Sequence, residues 1–258
     1  MAADLDVAGI ARSGSSGSYS YNVIGSSANL AITFVGWGDA ARFSNWLSNG
    51  QPGLVNPVPE DSHSTEDGSY MLNGATTDAA LNAVVRNTQA TWVIPTENEW
   101  YKAAYYNPAS STYFRYATSS DTTPTSAPPG STPNTANFYD GATGYAVTHS
   151  TSYSSSQNYL TDVGAYTNSA SPYGTFDQSG DVNQWNETLI SGSYRGLLGG
   201  SWVDVSFYLP SSSRILYYLP SNYNLGVGFR VASIPEPSTA VLGIVGSMLV
   251  LLWGVRRK

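Results

Sequence analysis

Between Tyr173 and Glu187 the chain places Asp177, Asp181, Asn183, Gln184 and Glu187 within eleven positions, broken by Gly180 and anchored by Phe176 and Trp185. Side-chain oxygens this dense on a turn are a donor set for a hard cation such as Ca2+, which takes about six to eight oxygens, some from backbone carbonyls. The spacing does not follow the D-x-[DN]-x-[DN]-G order of an EF-hand loop. The same residue types also make an ordinary solvated turn, in which Asp and Asn cap neighbouring backbone. The segment alone leaves both readings open. Glu97 and Glu99 could be taken as an acid pair, but they fall in the first turn of a predicted helix, where carboxylates favour the helix dipole. His63 and His149 lie far apart, and there is no cysteine. That excludes disulfides, thiolate metal sites and a cysteine nucleophile.

The elements that must position this segment are short. Ala28 to Trp37 is rich in branched and aromatic residues and predicts a strand. Asp39 then starts a helix with Ala40, Phe43, Trp46 and Leu47 on one face, stopped by Asn49-Gly50-Gln51-Pro52-Gly53. Gly68 to Gly74 reads as a short strand and turn, and a second helix is expected over residues 77–86. A strand ending at Ile94 leads into Thr96-Glu97-Asn98-Glu99, a T-x-x-E capping box that opens a helix ended by Pro108. Residues 109–135 are Ser, Thr, Pro and Gly and read as loop. Beyond the acidic segment, Tyr194 to Trp202 reads as strand, tight Gly199-Gly200 turn and strand, and Leu225 to Ala232 as a final strand.

Composition narrows the partners. The 258 residues suffice for one large domain with a proper core. Only 11% are charged, against about 25% in typical soluble domains. Nineteen tyrosines, seven tryptophans and abundant Ser, Thr and Asn take up the difference. Such a surface suits an extracellular protein that binds through aromatic and hydroxyl groups, and it is equally the habit of a secreted, loop-rich fold. A net charge of −7 argues against nucleic acid, which needs clustered Lys and Arg.

The two ends differ from the body. Residues 1–20 are small and polar, with no basic start followed by an apolar core, and residues 1–27 are expected to be a flexible or truncated N-terminus. The domain is expected over 28–233 and a separate module over 234–258. There, Pro235-Glu236-Pro237 precedes an uncharged apolar run over 240–255, then Arg256-Arg257-Lys258. Sixteen helical residues span about 24 Å, short against a hydrocarbon core of about 30 Å, and the basic end is the side expected to stay cytoplasmic.

That tail resembles the PEP-CTERM sorting signal of exported bacterial proteins. The resemblance implies a transmembrane helix over 240–255, recognition by an exosortase-type processing enzyme, and removal of the helix. It further implies passage through the inner membrane of a Gram-negative bacterium to the cell surface or extracellular matrix, with surface polysaccharide as a candidate ligand.

The body resembles the formylglycine-generating enzyme, or sulfatase-modifying factor, family. The landmarks in order are Phe34-Val35-Gly36-Trp37-Gly38-Asp39, then Ile94-Pro95-Thr96-Glu97-Asn98-Glu99-Trp100, then Tyr173 to Trp185, then Gly199-Gly200-Ser201-Trp202, then Gly228-Phe229-Arg230. The resemblance implies an α+β fold, a loop-rich variant of the C-type lectin fold, with the family's N-terminal strands short or absent. It implies calcium held by Asp177, the carbonyls of Gly180 and Val182, and Gln184, which stands where the family has an acid. A second calcium site would begin at Asn137 with the Phe138 carbonyl. The family's oxidative chemistry needs a cysteine pair after the Gly-Gly-Ser segment, where this chain has Asp204 and Leu209. No catalytic residue is therefore carried over, and the expected role is a non-catalytic binding or matrix domain. The alternative is an enzyme of that class with a cysteine-independent mechanism.

Overall fold

Glycine and proline punctuation keeps the regular elements short, so side-chain hydrogen bonds and aromatic packing do much of the joining. The computed structural model describes residues 7, 9–16, 18–25, 27–55, 59–214 and 218–234. The expected sorting signal at Pro235, Glu236, Pro237, Arg256 and Arg257 and the helix expected over 240–255 lie outside them. Among the described residues no helix is long and apolar enough to cross a membrane.

The chain opens with an antiparallel hairpin of β1 (Ile10–Ser15) and β2 (Ser18–Val23). Val7 is buried against Tyr159, Leu160, Val182 and Trp202. The segment read from sequence as flexible thus contains paired strands and a core contact. Ser-Tyr alternation and Gly14, with its positive φ of 94°, make the hairpin, though no apolar face announces it. The strand predicted over Ala28 to Trp37 is absent apart from one bridge, Leu30 to Asp162. Phe34 sits at φ 55° and its N–H goes to Asn224 O at 3.0 Å, while Trp37 N–H goes to Pro220 O at 2.9 Å. The segment is buried by loops, and branched residues there serve packing instead of a ladder.

Four helices follow: α1 (Trp37–Ser48), α2 (His63–Glu66), α3 (Asp78–Ala83) and α4 (Glu97–Tyr105). The helix α1 starts before the Asp39 read as its cap: Gly36 is the N-cap, and Asp39, at the third helical position, returns its carboxylate to Gly36 N–H at 2.8 Å. The buried stripe, however, is Trp37, Ala40, Ala41, Ser44 and Asn45, and Phe43 lies exposed. Asn45 explains the rotation: its amide reaches Thr65 O and Tyr70 O and its oxygen takes Tyr70 N–H, all at 2.8 Å, so a polar side chain is satisfied inside. The second helix stops at Ala83, earlier than expected, because Val84 is extended and Arg86 bridges to Tyr70. The capping box of α4 forms as read, between Thr96 and Glu99.

Strand β3 (Trp92–Val93) precedes α4, and three two-residue ladders occupy the polar stretch after it. These are β4 (Tyr106–Asn107) with β5 (Thr112–Tyr113), β6 (Thr125–Ser126) with β7 (Thr135–Ala136), and β8 (Tyr139–Asp140) with β9 (Gly144–Tyr145). The central sheet comes late. In it β10 (Asn183–Ile190) lies between antiparallel β11 (Tyr194–Leu198) and parallel β12 (Val227–Phe229). Finally β13 (Ala232–Ser233) pairs antiparallel with β3. The largest core cluster joins Trp37, Tyr70, Leu81, Ile94, Trp185 and Leu197, with Val227.

The turn into β10 depends on one glycine. Gly180 has φ 81°, and a Cβ there would collide with Asn137 O, the acceptor of Asp181 N–H. Gly174 has φ 76° but open space where a Cβ would stand. Gly174→Ala is therefore expected to cost about 1–2 kcal/mol through backbone strain alone. Gly180→Ala is expected to cost clearly more in urea unfolding, and equal costs would contradict this geometry.

Candidate functional site

The acidic segment folds around Gln184, which β10 points inward. Its carbonyl oxygen accepts from Trp100 Nε1 at 2.8 Å and from Arg230 Nε at 2.5 Å. Its amide donates to Asp177 O at 2.6 Å. Arg230 Nη2 reaches Phe176 O at 2.9 Å. Three landmarks distant in sequence therefore meet at one carboxamide: Trp100 on α4, Arg230 after β12, and the turn at Asp177. Burial lowers the Arg230 guanidinium to about 10, so it stays charged at neutral pH.

Two carboxylates lie beside this hub. Asp181, at φ 62°, is buried. Its Oδ1 accepts from Asn137 Nδ2 at 2.8 Å, Thr161 N at 3.1 Å and Thr161 Oγ1 at 3.2 Å. Burial outweighs these bonds and pushes its carboxyl up to about 6. Asp177 accepts from Gly164 N–H through Oδ2 at 2.5 Å, while its Oδ1 is buried without a hydrogen-bond partner. Its pKa is also raised, by burial, against the Gly164 bond and the nearby Arg230 charge.

These contacts test the calcium expectation. A carbonyl oxygen has two lone pairs, and both of those on Gln184 are aimed at N–H donors. The set Asp177, Gly180, Val182 and Gln184 therefore loses Gln184 as a ligand, leaving one carboxylate and two backbone carbonyls next to a fixed guanidinium. That does not fit a calcium ion. The second set has its own partners, which engage the Asn137 amide nitrogen and one lone pair of the Phe138 carbonyl. Asn137 turns its amide toward Tyr159 O and Asp181, both at 2.8 Å, and Phe138 O accepts from Ser126 Oγ at 2.5 Å. Among the described residues no group of three or more His, Cys, Asp or Glu could hold a metal ion.

The other polar candidates also have structural employment. Glu187 accepts from Arg86 Nε at 2.7 Å and Tyr70 OH at 2.9 Å. Arg86 continues to Glu99, whose carboxyl it holds down to about 2. Glu97 pairs with Arg214 and its N–H is taken by Thr188 Oγ1, so the two acids of α4 diverge. His63 pairs with Asp67 on the surface. Arg195 lies over the Trp37 ring at 3.9 Å and donates to the carbonyls of Leu81 and Val84. Where the family's cysteine pair would stand, Asp204 Oδ2 accepts from Asn183 Nδ2, Ser201 N and Ser201 Oγ at 2.7–2.9 Å. Leu209 is fully buried with Tyr116, Ala136 and Phe138. Sequence reading missed the Trp100–Gln184–Arg230 junction, although each member lies in a landmark segment.

The raised carboxyl of Asp181 sets a pH dependence. Its folded pKa lies above the unfolded value, so its stabilising state is present below pH 3.8 and is lost as pH rises through about 6. Asp181→Asn keeps an oxygen for Asn137 and Thr161 and removes the titration. The stability of the variant relative to wild type is expected to improve by up to roughly 3 kcal/mol between pH 4 and pH 7. A difference that stays flat over that range, in chemical unfolding, would contradict the assignment.

Two solved structures are similar. One, titled "Crystal Structure of CarF", is 22% identical, with a TM-score of 0.47 over 79% of this chain and 68% of that one. The other, Treponema denticola variable protein 1, is 20% identical, with a TM-score of 0.49 over 81% of this chain and 73% of that one. No curated protein matches the chain. A family model described as "Sulfatase-modifying factor enzyme 1-like domain" matches residues 7–234, reaching the N-terminal segment that the sequence landmarks did not cover. With its landmark segments joined at Gln184 and that match spanning nearly the whole described body, the chain belongs to the sulfatase-modifying factor enzyme 1-like domain family.

Proposed function

We propose that this member of the family is a non-catalytic binding domain directed to the bacterial surface. The observation that carries the reading is the fate of the two positions after Gly199-Gly200-Ser201. Asp204 is tied to Asn183 and Ser201, and Leu209 is sealed in a core cluster. Neither offers a side chain to a substrate, and the chain has no cysteine to replace them. The same segment instead turns Val203, Val205, Phe207 and Tyr208 outward. Tyr113, Tyr173 and Tyr223 are exposed as well. Large side chains with a polar tip and few charges are the means of a binding surface. Polysaccharide of the cell surface or matrix is the ligand class this chemistry serves.

The destination rests on the tail: Pro235-Glu236-Pro237, the apolar run and Arg256-Arg257 form a sorting signal for an exosortase-type enzyme. In this reading the membrane helix is an intermediate, removed when the domain is released. Calcium has no part in it.

The alternative, a cysteine-independent enzyme, requires oxygen turnover. Purified protein supplied with copper or iron and a thiol peptide is expected to consume no oxygen above the protein-free control. Metal-dependent uptake that scales with protein concentration would overturn the non-catalytic reading. Mass measurement of the mature protein from its host is expected to place the C-terminus near Pro235, and a mass that retains Arg256 and Arg257 would overturn the processing.

A further inference from the structure

The end of α1 and the loop before β3 enclose an open cleft of about 390 Å3. Its floor is Ser48, Asn49, Ser69 and Asn87, and one wall is Thr88, Gln89 and Thr91. No lining residue carries a charge. The floor is rigid because its donors are used internally. Asn49 Nδ2 donates to Asp67 O at 3.0 Å and to His63 O and Ser64 O at 3.2 Å. Asn87 Nδ2 donates to Gly68 O, and the Ser48 and Ser69 hydroxyls share a bond of 2.6 Å. The wall differs: Thr88 and Gln89 are exposed, and no hydrogen bond from their side chains or that of Thr91 is found among the described residues. Trp92 follows Thr91 on β3. Val93 is buried beneath it, so alternation turns Trp92 to the outer face, where it is 37% exposed. Its N–H is anchored on Ser48 Oγ at 3.1 Å.

A fixed neutral floor, a wall of free hydroxyl and amide groups, and the partly exposed Trp92 that follows Thr91 match one ligand chemistry. We infer that this cleft binds a neutral saccharide, with the Thr88, Gln89 and Thr91 side chains bonding sugar hydroxyls and the Trp92 ring covering a C–H face. An anionic glycan would find no cation in the lining, and a peptide would find no apolar pocket for a side chain. Hydroxyl-rich ligands fit because each lost bond to water is replaced by an equivalent bond to an uncharged group. The inference rests on the binding-domain reading and gives it a place distinct from the exposed Phe207 and Tyr208 segment.

The test is saturation-transfer NMR and calorimetry on the full chain in detergent, with maltohexaose, cellohexaose and mannohexaose as neutral probes and a galacturonic acid hexamer as the anionic one. Binding of at least one neutral hexasaccharide is expected. Thr88→Ala/Gln89→Ala and, separately, Trp92→Ala should each weaken it by roughly tenfold. Thr88 and Gln89 are exposed, so the melting temperature of that variant should stay at the wild-type value; Trp92 is only 37% exposed, so Trp92→Ala should melt lower and is read on binding by the folded fraction. The inference is overturned if no neutral probe binds, if the galacturonic acid hexamer binds more tightly, or if the cleft variants bind as wild type does. Binding unchanged in the cleft variants but lost in Phe207→Ser would move the ligand to the other face and leave the binding-domain reading intact. Metal-dependent oxygen uptake would remove that reading instead.

Discussion

The carboxamide of Gln184 is the interaction on which the rest of this domain depends. It accepts from Trp100 on α4 and Arg230 beyond β12 and donates to the backbone at Asp177. Together with the β10–β12 pairing that sets Gln184 beside Gly228, it fixes these distant segments relative to one another. An amide is suited to this because it donates and accepts in one plane, whereas a carboxylate only accepts when ionised. A glutamate at this position would pair with Arg230 but would face the Asp177 carbonyl with a second acceptor. The neutral residue that departs from the family's acid is therefore matched to the donors and acceptors around it. Removing one partner strands the others in a buried setting, where an unsatisfied polar group costs about 1–3 kcal/mol.

The same logic runs through the remaining buried polar groups. Asn45 closes the turn below α1, Asn137 joins Tyr159 to Asp181, and Asp204 joins Asn183 to Ser201. Arg195 gathers the carbonyls of Leu81 and Val84, and Arg86 the carboxylates of Glu187 and Glu99. Many groups that resemble catalytic or metal-binding residues by type are thus consumed in holding irregular backbone together. The surface keeps uncharged hydroxyls, amides and aromatic rings.

Much of this was legible in the sequence where a local rule decides the outcome. The capping box at Thr96 and Glu99 and the Gly199-Gly200 turn with φ 106° and 73° follow from residues close in sequence. The strand expected from Ala28 to Trp37 failed because its branched residues answer to Asn224 and Pro220, far along the chain. The buried stripe of α1 was rotated because Asn45, polar by type, is satisfied inside by Tyr70. The hairpin at Ile10–Val23 escaped because it has no apolar face to alternate. At the candidate site the donor residues were identified but their partners were not. Oxygen density alone does not separate a cation site from a hydrogen-bonded one, because the donors facing those oxygens, as at Gln184, come from residues far along the chain.

The central claim is that hydrogen bonds to Gln184, with no metal, organise the segment from Asp177 to Trp185. Calorimetric melting of the purified domain-bearing chain in EDTA and in millimolar Ca2+ tests it most directly. The same melting temperature is expected in both. A rise of several degrees with calcium, saturating with concentration as expected for a ligand of the native state, would contradict it.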